Sequence, residues 1–151
     1  MYTLEEFDNE KTKVMKYIIY KRRTEIEVRT KFANSIDETI LEDIIEYLKE
    51  AKYIDDEEYI ARFINNMKNL KNLSIKEIKY KLLAKGINKD DIDNFFYKNK
   101  EELEEYEVQS AKNIMLKKSR DYDVEGIKMY LLRKGYKLEN ISKAIEFLEN
   151  N

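Results

Sequence analysis

The chain has 151 residues, 42% of them apolar and 40% charged, with a net charge of −2, so it can bury a core as one domain or as a short array of modules. Cysteine and histidine are both absent, which excludes disulfides, thiolate chemistry, and the commonest general base and metal ligand. Proline is absent and glycine occurs three times, a composition that disfavours turn-rich β architecture and suits helices.

The first helix is predicted over 8–21, with Val14 and Ile18 on its inward stripe. Before it, "MYTLEEFDNE" is acidic and lacks the apolar run of a secretory signal. "KRR" at 21–23 closes it, where positive charge complements free carbonyls. The second helix, 24–34, opens with "TEIEVRTKF". Thr24 caps it, Glu27 reaches back to complete a capping box, and Asn34 is the expected left-handed terminator. The third, 37–51, starts at Asp37 and carries Leu41, Ile44, Ile45 and Leu48 at three- and four-residue steps.

"YIDDEEYIARFI" (53–64) places four carboxylates in a row at the start of the fourth helix, 55–70. Asp55 and Glu58 have capping spacing, the other acids suit the positive end of the dipole, and Tyr53, Ile54 and Tyr59 fit a hydrophobic staple. Neighbouring side chains on a helix diverge by about 100°, so the four do not converge on one ion. The rival reading, a carboxylate–Mg²⁺ or acid/base site, would need Asp55, Asp56 and a distant acid. Ile60, Phe63, Ile64 and Met67 form the apolar stripe that follows.

The fifth helix, 74–85, begins "SIKEIKYKL", with Ser74 and Glu77 as a second capping box, and ends in "LLAKGI". A left-handed Gly86 with Ile87 packed back on Leu82 is the expected Schellman ending. The sixth, 88–98, starts at Asn88 and carries Ile92, Phe95 and Phe96; the seventh, 101–119, carries Val108, Ala111, Ile114 and Met115. The eighth, 123–134, begins "DVEGIKMYL". Asp123 caps it, Gly126 replaces the box glutamate, and "LLRKGY" predicts a Schellman ending at Gly135 with Tyr136 on Leu131. The ninth, 137–149, starts at Lys137 and carries Ile141, Ile145 and Leu148.

These helices are one unit written three times with a period near fifty residues. The expected fold is all-α: three tandem three-helix repeats, 8–53, 54–99 and 100–151, forming an elongated, curved array. Charge follows a similar rhythm, with residues 11–31 summing to +6, 37–58 to −8, 62–89 to +7, 90–107 to −6 and 112–137 to +5.

Catalytic constellations are missing. The five serines have no histidine or cysteine partner, and the glycines stand alone, so no phosphate loop is present. No enzyme, metal or cofactor is expected. The twelve tyrosines read first as core or boundary residues and second as base-stacking platforms. The candidate partner-binding residues are basic: Lys76, Lys79, Lys81 and Lys85 on the fifth helix, and Lys117, Lys118, Arg120, Lys128, Arg133 and Lys134 in the third unit. Repetition would set the second helices of the units as basic stripes along one side.

The residues 53–64 are similar to the acidic-aromatic signature of the RecX regulatory family, through Tyr53, Ile54, Asp55, Asp56, Tyr59 and, one place late, Ala61. "SIKEIKYKLLAKGI" and "LLRKGY" match that family's Lys-Gly-apolar helix endings, and the likeness runs from about residue 10 to 149. Lys52 stands where relatives often have glycine, and lysine outnumbers arginine. The resemblance implies three tandem three-helix repeats and a non-catalytic regulator that binds the RecA filament on DNA. Such regulators usually lower strand exchange, ATP hydrolysis and SOS-repressor cleavage. It also implies a place in recombination and DNA repair, with weak direct DNA contact besides.

A cytoplasmic monomer without membrane contact is expected, since no window approaches the roughly twenty apolar residues of a bilayer span. The alternatives are a nucleic-acid-binding helical array independent of RecA and a scaffold for another protein.

Overall fold

The computed structural model describes residues 1–150; Asn151, the last residue of the predicted third unit, lies outside the described residues. Nine helices and no strand occur among the described residues: α1 Leu4–Tyr20, α2 Glu25–Phe32, α3 Glu38–Glu50, α4 Asp56–Leu70, α5 Ile75–Ala84, α6 Lys89–Lys98, α7 Lys100–Lys118, α8 Val124–Arg133 and α9 Leu138–Glu149. None is long and apolar enough to cross a membrane.

Local chemistry sets most boundaries. Thr24 and Ser74 accept the N–H of Glu27 and Glu77, whose carboxylates bond back to the cap residues. Asp123 accepts the Gly126 N–H without a reciprocal bond. Both Lys-Gly endings are Schellman turns: Gly86 and Gly135 have φ of 83° and 95°, and the N–H groups of Ile87 and Tyr136 reach the carbonyls of Leu82 and Leu131. Two expectations are corrected. α1 begins at Leu4 rather than residue 8, because Thr3 and Glu6 form a further capping box. Asn34 is not left-handed; that conformation falls on Lys52, φ 65°, whose turn lets the Tyr53 N–H reach the Leu48 carbonyl at 2.9 Å.

The apolar stripes close into three clusters. Val14, Val28, Ile44 and Leu48 centre the first; Ile60, Ile78, Leu82 and Ile92 the second; Ala111, Leu131, Ile141 and Ala144 the third. Full burial of one such aliphatic side chain larger than alanine contributes roughly 1.5–3 kcal/mol, but a unit of some fifty residues is marginal on its own. The joints between units therefore matter. Among the described residues, hydrogen bonds and ion pairs that leave a unit run only to its neighbour.

Both joints follow one plan. The cap hydroxyl of one unit's second helix donates to the carbonyl that ends the next unit's second helix: Thr24 to Lys85 at 3.5 Å, and Ser74 to Lys134 at 2.8 Å. The following N–H meets a carboxylate on the next unit's first helix, Glu25 to Asp56 at 3.1 Å and Ile75 to Glu107 at 2.7 Å. The second joint is the more deeply bonded. Glu107, with no exposed surface, also accepts the Lys137 N–H and the Asn140 amide, both at 2.9 Å, while Tyr106 bonds both N–H and carbonyl of Leu73.

Candidate partner-binding surface

These joints fix the second helices as a row. The C-terminal end of α8 abuts the N-terminal end of α5, and the C-terminal end of α5 abuts the N-terminal end of α2. Opposite ends of helix dipoles thus meet, the favourable arrangement.

The ten basic residues do not form a single patch. Lys81 and Lys85, one helical turn apart on α5, are exposed and make no ion pair among the described residues. Lys76 lies at the second joint, its aliphatic stem against Gly135, and is brought close to Lys134, whose carbonyl takes the Ser74 hydroxyl. Lys79 is engaged: its ammonium is 3.7 Å from Asp93 and 4.9 Å from the Phe96 ring. On α8, Lys128 is half-buried, and Arg133, exposed, bonds the Met129 carbonyl at 3.4 Å. Lys117, Lys118 and Arg120 belong to the other end of α8, about 15 Å away at 1.5 Å per residue. There Lys118 lies over the rings of Tyr130 at 4.2 Å and Tyr122 at 5.2 Å.

In the first unit the arginine of the second helix is engaged. Arg29, on the second helix, is bound by both oxygens of Glu42 at 2.6 and 2.8 Å and by Glu25 at 3.1 Å. Those bonds hold the guanidinium charged and the Glu42 carboxyl below its ordinary value. Lys31 on α2, by contrast, is exposed and without an ion pair among the described residues, its ammonium 5.8 Å from the Tyr17 ring, so unpaired basic surface extends to the first unit as well.

The acids of 55–58 are divided among separate partners. Asp55 caps α4, Asp56 turns to the Glu25 N–H, Glu57 stands 4.0 Å from Lys98, and Glu58 pairs with Arg22 and Arg62. Burial pushes the Asp56 carboxyl upward; the Glu25 N–H works against that rise, and the charges of Glu25 and Asp91 add to it. The tyrosines split likewise. Tyr136 is buried against Ser110 at 2.7 Å and Tyr17 packs edge-on to Phe32, whereas Tyr80 and Tyr97 are exposed.

Of the cross-unit acceptors, Asp56 stood out in the sequence only as part of the acidic run and Glu107 not at all. The signal for Glu107 was its place in the stripe Leu103, Glu107, Ala111, Ile114, an acid at core spacing inside a run that reads as a solvated face.

No family model matches the chain. A curated regulatory protein RecX from Clostridium beijerinckii is 33% identical over 149 residues, 94% of this chain and 69% of its own length. One from Clostridium acetobutylicum is 33% identical over 153 residues, 93% of this chain and 70% of its own. Another from Staphylococcus carnosus is 31% identical over 139 residues and is matched over 52% of its length, so the chain spans about half of that relative. In fold, the chain is similar to the crystal structure of RecX from Lactobacillus salivarius, with a TM-score of 0.81 at 24% identity over 99% of this chain and 100% of that one.

Proposed function

The chain belongs to the RecX family of regulatory proteins, and on that premise we propose that it binds the RecA recombinase filament on DNA and restrains its ATP hydrolysis, strand exchange and coprotease activity. The observation that supports this most is the end-to-end row of α8, α5 and α2, with Lys76, Lys81, Lys85, Arg133 and Lys134 exposed and without ion pairs among the described residues. A filament presents one surface at every protomer. Units repeated at 8–53, 54–99 and 100–151 would meet successive copies in register, and weak contacts then add through effective concentration. Bridging protomers opposes the subunit movements of ATP turnover, so the reading needs no cofactor and no catalytic residue.

The unpaired lysines also favour a second reading, nucleic-acid binding without RecA. Lysine supplies point charges rather than the bidentate phosphate contacts of arginine, so that binding would weaken steeply with salt. Co-sedimentation with RecA filaments on single-stranded DNA, against the same DNA alone, separates the two. Greater retention on filaments at matched salt is expected, and reversing Lys81 and Lys85 to glutamate should reduce it. Equal retention would favour the second reading, and none would remove both.

A further inference from the structure

We infer that the outward line of the second helices is a protein-docking ridge, fitted to an apolar protein surface edged by carboxylates. Tyr80 and Leu83 stand three apart on α5, and Met129 and Leu132 three apart on α8, spacings that share a helix face. They are 62%, 40%, 53% and 39% exposed. Tyr80 and Met129 hold the same place in their units, as do Leu83 and Leu132, counted from the caps Ser74 and Asp123. The inward faces are already filled by Ile78, Leu82, Ile127 and Leu131, all buried, so the outward side chains are not needed to close the core.

The joints make the line continuous. One step beyond Leu132 is Gly135, where a Cβ would lie 3.0 Å from the Cβ and Cδ of Lys76; one step beyond Leu83 is Gly86, where a Cβ would overlap Ile26. With no side chain at either glycine, the ridge runs Met129, Leu132, the methylene stem of Lys76, Tyr80, Leu83, Ile26. Ile26 is itself 41% exposed, and a lysine stem can cover apolar surface while its ammonium stays in water.

Charge selects the occupant. Lys81, Lys85, Arg133 and Lys134 flank the ridge, exposed and without ion pairs among the described residues, so carboxylates suit its edges. A phosphate backbone would use the lysines and leave Leu83, Met129 and Leu132 idle, since base stacking needs aromatic faces and only Tyr80 offers one. This assignment rests on the proposed filament contact and names which side chains hold it.

The test uses the full chain carrying Tyr80→Ser with Met129→Ser, both at exposed sites, beside Lys81→Glu with Lys85→Glu. Retention is measured on RecA filaments, on bare single-stranded DNA and on anionic phosphatidylserine vesicles. The apolar pair is expected to lower filament affinity roughly tenfold or more at low and high salt alike, with DNA and vesicle binding unchanged. The charge pair should act mainly at low salt. Wild-type filament affinity in the apolar pair would overturn the ridge alone, as would a parallel loss on DNA or vesicles. A wild-type chain that ignores filaments would overturn the proposed function and the ridge with it. Should the apolar pair fail to fold, a benzophenone photo-crosslinker replacing Tyr80 reads the same question: adducts to RecA are expected, and adducts confined to DNA would overturn the ridge.

Discussion

Glu107 on α7 accepts the backbone N–H of Ile75, the first residue of α5, at 2.7 Å. One buried carboxylate thereby serves two helix starts, because its other oxygen takes the Lys137 N–H ahead of α9. Lys137 has no side-chain acceptor of its own to cap that helix. Each buried donor left unbonded costs about 1–3 kcal/mol. Glu107→Ala, which strips the acceptor from the Ile75 and Lys137 N–H groups and leaves the Asn140 amide only Glu104, should destabilise the chain by about 2 kcal/mol or more, read from the urea midpoint. Glu107→Gln should cost less, since one oxygen remains. Near-equal midpoints for wild type and Glu107→Ala would contradict this role.

The two joint glycines should not be equivalent. Alanine at either position meets an unfavourable positive φ, costing about 1 kcal/mol or more. At Gly86 the new Cβ also overlaps branched Ile26, whereas at Gly135 it meets the flexible stem of Lys76. Gly86→Ala should therefore lower the melting temperature more than Gly135→Ala, and the reverse order would count against the packing described.

Lys52 carries φ of 65° without the freedom of glycine, a conformation costing an L-residue about 1–2 kcal/mol. Its side chain is exposed, so little packing is lost on truncation. Lys52→Gly should stabilise the chain by about 0.5–1 kcal/mol; a lower melting temperature would show that the turn is held otherwise.

Stability should respond to acid with two opposite signs. Burial works to raise both Glu25 and Glu104, but bonds from Lys49 and Arg29 to the first, and from Lys137 and Asn140 to the second, outweigh it and leave both lowered. Their contribution is complete above the ordinary carboxylate range near pH 4–4.5 and is lost as pH falls through their folded values. Asp56, raised chiefly by burial, opposes folding while ionised, and that penalty is relieved as pH falls through its folded value. Asp56→Asn keeps an oxygen for the Glu25 N–H. It should melt at or above the wild-type temperature at pH 7, with any advantage shrinking in acid; a lower melting temperature at pH 7 would contradict the sign.

What was legible in the sequence is what is locally determined. The starts of α2, α3, α4, α5, α6 and α8 follow from cap residues, and the Lys-Gly endings follow from glycine's access to positive φ, whereas the start of α9 takes its acceptor from Glu107 on α7. The start of α1 at Thr3 had the same signature but lay ahead of the first apolar stripe, which begins at Val14. The left-handed turn passed from Asn34 to Lys52 because the Ser35 and Ile36 N–H groups bond the Phe32 carbonyl, so the chain leaves α2 without it. The basic residues were legible by type, but not their sorting. Lys79 is drawn to Asp93 and Lys118 to the rings of Tyr122 and Tyr130 by packing between successive helices, which no local pattern specifies, while the row of second helices depends on Asp56 and Glu107, whose partners lie 31 and 32 residues away.

The central claim is that this row restrains a RecA filament, and RecA's DNA-dependent ATP hydrolysis tests it most directly. Titrating the chain into RecA on saturating single-stranded DNA should lower the rate progressively to a plateau, with fewer than one chain needed per protomer if each bridges neighbours. A rate unchanged across the titration, at salt low enough to preserve lysine contacts, would contradict the claim while leaving the all-α fold untouched.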